Sequence, residues 1–267
     1  MAIEFSRDIT FGQYLNLGSP VHRLDPRIKM LAAGALMFAV LTARLFIALA
    51  PIAIAVVLIQ LLSRIPISYT LRGMRLLFFT VMIFLVFQVL FYPAQQAYWR
   101  WGVLSISWEG LTQGFFLLLR VLLLYYITST LMFTTSLVDL ADGTEIMLDP
   151  LKRIGIPVNE MVLTLIVALK FVPLLVIELE RMVKAQAARG LAFDQGGPIQ
   201  RARLLGGLLV PLFVNALSRA EVLATAMNAR CYRGGKGRTK RRVLQLRPID
   251  MLGLVVILAL AGASIAL

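Results

Sequence analysis

The sequence predicts an all-α integral membrane protein, with about five transmembrane helices and a large basic helical region at the cytoplasmic face. Two observations carry this. Hydrophobic residues make up 59% of the 267-residue chain and the mean hydropathy is +0.82, against roughly 45–50% apolar residues in soluble domains, so much apolar surface has to face lipid. The charge is also one-sided: the net value is +13, and 17 of the 27 Lys and Arg residues fall between 134 and 247. Cytoplasmic segments of membrane proteins carry such an excess. Because the charge lies beside apolar runs, it points to sidedness in a bilayer rather than to nucleic-acid binding. The single cysteine, Cys231, allows no intrachain disulfide and no cysteine-rich zinc site.

The polar start, Met1–Ser19, lacks the basic-then-apolar order of a cleavable signal peptide, so the first membrane helix is expected to direct insertion itself. That helix is expected over Ile28–Ala43, with Asp25 as its N-cap, Pro26 at the first helical position and Arg27 next. His22, the one histidine, has no second ligand nearby and reads as an interfacial hydrogen-bonding residue. A second run, Leu45–Leu62, follows after Arg44 alone, which makes the pair a tight hairpin. Arg64, Arg72 and Arg75 mark a basic loop, and the third run, Leu76–Tyr92, ends at Pro93. The next loop holds Tyr98, Trp99, Trp101 and Trp108 with one positive charge, Arg100, as in an interfacial aromatic belt. The fourth run, Leu111–Phe133, carries Arg120 near its middle. An intramembrane Arg faces protein or water rather than lipid, so Arg120 is a candidate intramembrane contact with another subunit, a buried partner within the chain being the equal alternative. The last run is Ile249–Leu267.

The chain thus divides into 1–133, an N-terminal segment with four membrane helices; 134–247, a cytoplasmic helical region; and 248–267, a C-terminal membrane helix. Five spans with the N-terminus in the cytoplasm put every basic loop on one side of the cell membrane.

Within 134–247, Ser136 and Asp139 fit a capping box, and Asp139, Asp142 and Glu145 read as partners of a helix dipole rather than as metal ligands. Glu160–Arg189 and Pro198–Arg230 read as two long helices with a shared pattern. Val172-Pro173-Leu174-Leu175-Val176 matches Val210-Pro211-Leu212-Phe213-Val214, each proline precedes an Arg by eight residues (Arg181, Arg219), and the ends read Ala188-Arg189-Gly190 and Ala229-Arg230-Cys231. Between them, Asp194, Gly196, Gly197 and Pro198 stop one helix and start the next. Reading 161–177 and 204–218 as further spans would place Arg181, Lys184, Arg189, Arg201 and Arg203 outside, against the charge rule. Long kinked helices at the cytoplasmic face are therefore preferred, with apolar surfaces that pack on each other, on the membrane interface or on another protein. An Arg at a helix end complements the dipole for roughly 0.3–1 kcal/mol, whereas a matched pair on matched helices points to docking into acidic grooves of a partner. Pro173 and Pro211 are hinge candidates, with a static bend as the equal alternative. The run Gly234-Gly235-Lys236-Gly237-Arg238-Thr239-Lys240-Arg241-Arg242 is not a phosphate-binding loop and reads as an anchor to anionic headgroups.

Gly12-Gln13-Tyr14, His22-Arg23-Leu24-Asp25-Pro26-Arg27-Ile28-Lys29, Pro150-Leu151-Lys152-Arg153-Ile154-Gly155-Ile156-Pro157 and Lys184-Ala185-Gln186-Ala187-Ala188-Arg189-Gly190 together resemble the transmembrane T component of energy-coupling factor (ECF) transporters, from the N-terminus through Arg230. The resemblance implies a scaffold in a prokaryotic inner membrane. Its partners would be two cytoplasmic ABC-type ATPase subunits and a membrane-embedded substrate-binding S component, with vitamins or transition-metal ions as cargo. It further implies that Ala188, Arg189 and Gly190, and Ala229, Arg230 and Cys231, form the ATPase-docking tips of two crossed coupling helices. Cys231 departs from the family's glycine, which makes a tight left-handed end less assured there. No cofactor is expected in this chain, ATP being bound by the partner subunits, and no enzymatic activity of its own. The rival class, a self-contained channel or secondary transporter, expects grouped intramembrane ionisable residues or paired broken membrane helices. Only Arg120 lies deep.

Overall fold

The computed structural model describes residues 14–15, 17–92, 99–101, 104–191, 197–234 and 246–267. The Gly12-Gln13 pair, Pro93, Tyr98, Asp194, Gly196 and the 235–242 basic run lie outside the described residues, as do the side chains of Arg72, Arg75, Trp99, Arg100, Trp101, Arg201 and Arg203. The chain forms two compact units, one comprising Tyr14–Gly143 with Leu244–Leu267, the other including Thr144–Val243.

The first unit contains α1 (Pro26–Thr42), α2 (Phe46–Ser63), α3 (Ile67–Phe91), α4 (Trp108–Thr134) and α8 (Pro248–Ala266), with a short antiparallel hairpin, β1 (Trp99–Trp101) and β2 (Leu104–Ile106), before α4. Each helix except α3 agrees with its apolar run to within three residues at either end. α3 begins nine residues before Leu76, so the expected basic loop shrinks to Arg64–Pro66 and residues 72 and 75 are helical. Pro66 presets an extended entry, and nothing between Ile67 and Arg75 stops a helix once begun. The hairpin was not foreseen: two three-residue strands are too short to show a period of two.

α1 packs on α8 and α4, α2 on α8 and α4, and α3 on α4. The core draws Leu36, Ala39 and Val40 from α1, Leu49, Ile52 and Ala55 from α2, Leu123 and Ile127 from α4, and Ala261 from α8. Small residues recur because lipid tails are as apolar as leucine, so close helix approach rather than hydrophobicity holds membrane helices together. The opposite faces carry exposed Phe79, Phe84, Phe87, Leu252 and Val255, the surface a bilayer would cover.

The second unit holds a 3₁₀ turn (Asp149–Ile154), α6 (Val158–Ala188) and α7 (Pro198–Ala229); α5 (Leu137–Met147) runs across the boundary between the units. Ser136 caps α5 by accepting from the Asp139 amide at 3.1 Å, while its hydroxyl donates to the Asp139 carboxylate at 2.8 Å. α6 and α7 pack on each other.

By length and composition, α2, α4, α6, the Gly206–Ala229 part of α7 and α8 could each cross a membrane. Three of these, α2, α4 and α8, are spans expected from the sequence, and α3 adds an apolar stretch, Leu77–Phe91, within a 25-residue helix. The protein is a multi-pass membrane protein.

Candidate functional site

α6 and α7 meet through Val183 and Leu208, with Leu179, Met182 and Leu204 around them. Beside this contact Arg219 Nη2 donates to Glu178 Oε2 at 3.0 Å, and Arg181 Nη1 lies 4.0 Å from the same oxygen. The two arginines that follow the repeated prolines thus converge on one carboxylate. Glu178 was not singled out from the sequence, because its role depends on the register in which two helices cross, and only the matched positions of Arg181 and Arg219 hinted at it. A double-mutant cycle of Glu178→Gln with Arg219→Ala should give a coupling of about 0.5–1 kcal/mol in thermal unfolding, modest because the pair is half-exposed. Strictly additive losses would remove the ion pair from the crossing.

Both helices end alike. Arg189 closes α6, Gly190 takes φ 92°, the Leu191 amide donates to the Gln186 carbonyl at 3.1 Å and the Gly190 amide to Ala187 at 3.0 Å. Arg230 closes α7, Cys231 takes φ 58°, the Tyr232 amide donates to Met227 at 3.0 Å and the Cys231 amide to Asn228 at 2.9 Å. Each is a Schellman closure, which satisfies the last carbonyls and turns the chain sharply away. The less assured end expected at Cys231 is not what the structure shows: a non-glycine residue adopts the left-handed conformation that its neighbours' hydrogen bonds demand. That conformation costs a side chain roughly 1–2 kcal/mol. Cys231→Gly should therefore stabilise the α7 terminus by about 1 kcal/mol, read as slower amide exchange at 231 and 232; unchanged exchange would mean that the conformation carries no strain.

Ala188, Arg189, Gly190, Ala229, Arg230 and Cys231 are all exposed, so the sharp turns leave the two guanidinium groups as projecting tips. Eleven residues separate Glu178 from Arg189, and eleven separate Arg219 from Arg230. At helical rise each arm is about 16 Å long. Pro173 and Pro211 sit inside their helices five and eight residues before Glu178 and Arg219; Pro173 lies beyond the contact from the α6 end, whereas Pro211 falls between Leu208 and Arg219, within it. Each arm is free of proline.

The N-terminal motif lies in the other unit. Asp25 accepts from the Arg27 amide at 3.0 Å and Pro26 is the first helical residue, the cap expected from the sequence. Arg27 Nε lies 3.7 Å from the Asp25 carboxylate. Around this cap lies a polar cluster of which the sequence disclosed only parts. Lys29 Nζ donates to the carbonyls of His22 at 3.1 Å and Thr134 at 3.0 Å, pinning the end of α4 to the start of α1. Asp250 accepts from the Arg247 amide at 2.8 Å and the Asp25 amide at 3.4 Å, joining the starts of α1 and α8. His22 Nε2 bonds to the Leu15 carbonyl and Nδ1 to the Ser19 hydroxyl, both at 2.6 Å. Burial, which outweighs the Leu15 hydrogen bond, holds its pKa below the ordinary histidine value.

Arg120 finds a partner within the chain. It donates to the Ala43 carbonyl at the end of α1 and lies 4.7 Å above the Phe116 ring. With Arg44, Gln88 and Gln113 it also lines an open cavity of about 590 Å³.

These features define a class: a multi-pass helical membrane protein whose second unit holds two long helices that pack on each other and each end at an exposed arginine. A family model described as cobalt transport protein (CbiQ) matches residues 18–241. The energy-coupling factor transporter transmembrane protein EcfT of Heliobacterium modesticaldum is 44% identical over 263 residues, covering 97% of this chain and 96% of that protein. The proteins of the same name from Thermosediminibacter oceani and Listeria innocua are 41% and 38% identical, covering 97% and 94% of this chain and 97% and 95% of theirs. The chain belongs to the CbiQ family of transmembrane transport proteins, alongside these EcfT relatives.

Proposed function

We propose that this protein is the T component of an energy-coupling factor transporter, a scaffold that passes ATPase motion to a membrane-embedded substrate-binding subunit for uptake of a vitamin or metal ion. The relatives' shared name supports the transporter role, and the equal arms of α6 and α7 support the coupling role. In this reading the second unit lies in the cytoplasm with the N-terminus, and Arg189 and Arg230 insert into acidic grooves on two ABC-type ATPases. Burying α6 and α7 in a bilayer instead would carry Arg181, Lys184 and Arg189 to the outer side, against the sidedness of positive charge.

The observation that carries the proposal is the shared Glu178 fulcrum with equal, proline-free arms. A rigid arm about 16 Å long moves the crossing when its tip is moved, whereas an arm interrupted by proline would bend and absorb the displacement. Pro173 would hinge the part of α6 beyond the crossing and Pro211 would bend α7 within it, the apolar surface of these parts facing the substrate-binding subunit. ATP is then bound and hydrolysed by the partners, and this chain transmits.

Co-expression with the two ATPase subunits and a substrate-binding subunit tests this. A stoichiometric complex with ATP-dependent uptake in proteoliposomes is expected, and no uptake by this chain alone. Transport by the isolated chain would instead establish the self-contained channel or secondary transporter.

A further inference from the structure

The polar edge of the membrane unit contains a site that the coupling role does not use. The start of α1, the end of α2 and the start of α8 enclose a cavity of about 420 Å³ lined by Arg23, Arg64 and Arg247, with Leu24, Ile249 and Asp250 among its walls. Asp250 is buried and already accepts from two backbone amides. No described carboxylate lies within 4.0 Å of any of the three guanidinium groups. Asp250 sets one negative charge against three cations lining the hollow, and the excess positive charge favours a further anion there. Arg64 is moreover held at φ 55°, a left-handed conformation that glycine would adopt at less cost, so the fold keeps an arginine where its backbone disfavours one.

A second cavity shares a wall residue with this hollow. Leu24 is shared with a cavity of about 290 Å³ whose lining is almost wholly apolar and includes Ile28, Leu58, Leu62, Leu252 and Val256. Leu58, Leu62, Leu252 and Val256 are exposed, so this furrow is open along the surface that lipid tails would cover. A cationic hollow at the helix ends that adjoins an apolar furrow at Leu24 has the polarity of a phospholipid.

We propose that these adjoining cavities together bind one anionic phospholipid, its phosphate held by Arg23, Arg64 and Arg247 and an acyl chain laid against Leu24, Leu62, Leu252 and Val256. Bidentate guanidinium contacts suit phosphate oxygens better than a choline headgroup, which brings its own cation. The lipid would add a bridge from the end of α2 to the starts of α1 and α8, which Asp250 already joins. None of the site's lining residues belongs to the docking tips, and the proposal does not depend on them.

Native mass spectrometry of the delipidated full-length chain, titrated with phosphatidylglycerol or with phosphatidylcholine, tests the assignment. The wild type should retain one phosphatidylglycerol in preference to phosphatidylcholine by about tenfold or more. Each arginine removed should weaken retention about fivefold. Arg64→Gly is the decisive variant: it removes one cation while relieving the left-handed backbone, so weaker binding by a protein at least as heat-stable as the wild type supports the site. Gly253→Leu, at a position that lines the furrow and where a Cβ meets nothing within 4 Å, should lower retention with all three arginines intact. Equal retention of the two lipids, or unchanged retention by Arg64→Gly, would overturn the proposal. So would stoichiometric binding of inorganic phosphate that displaces the lipid, because the site would then serve a free anion.

Discussion

Replacing both Arg189 and Arg230 with alanine is expected to abolish ATP-driven uptake and to release the ATPase subunits, while leaving the protein folded. Both residues are exposed at the ends of their helices, and their main-chain roles in the closing turns are ones alanine can fill, so the fold loses little. The docking partner would lose much. A guanidinium in an acidic groove makes charge-assisted hydrogen bonds contributing about 1.5–3 kcal/mol, so each single substitution should weaken ATPase binding by roughly ten- to a hundredfold. The tips end separate arms, each about 16 Å from the Glu178 ion pair, and in this reading each enters a different ATPase, so their effects should add. The double variant then falls by about 10² to 10⁴, below what holds a complex through purification. Arg181→Ala is the control, since its side chain is 72% exposed and only 4.0 Å from Glu178; it should bind ATPases as the wild type does. Full uptake by the double variant would remove the tips from the mechanism.

The helix ends were legible because they are local. Ala188-Arg189 and Ala229-Arg230 end helices whose boundaries follow from Gly190, Pro198 and the apolar periodicity, and the proline repeat marked the two helices as a pair. Asp25 and Pro26 announced the start of α1 for the same reason. What the sequence hid is what depends on helices meeting. Glu178 differs in no visible way from Glu180 two residues on, yet only Glu178 receives Arg219. Arg120 stood out as a charge in an apolar run, but its partner is a main-chain carbonyl at Ala43, and every residue has one of those. Arg23, Arg64 and Arg247 lie in three separate segments that read only as basic flanks until the helix ends are brought together. The start of α3 was missed because charge was taken for loop, whereas a helix longer than the bilayer is thick carries its charged turns beyond the apolar region.

Lys29→Met should be the most destabilising single change in the membrane unit. Lys29 reads in sequence as one more basic residue flanking a span, but in the fold it is 8% exposed, with Asp25 at 5% and Asp250 at 2%. Its ammonium donates to the carbonyls of His22 and Thr134 and is balanced by the charges of Asp139, Asp25 and Asp250. Methionine fills nearly the same volume, so packing is kept and the electrostatic loss is isolated. Two buried carboxylates then lose their cation and two carbonyls lose a donor. Breaking a buried ionic cluster from one side costs roughly 3–5 kcal/mol, because the remaining charges stay desolvated. The melting temperature in detergent should drop sharply. Raised pH should not rescue the variant, since the stranded carboxylates only gain charge; lowered pH should recover part of the loss by protonating them. A Lys29→Met protein that melts as the wild type does at neutral pH would show that the start of α1 is held by its cap and its packing alone.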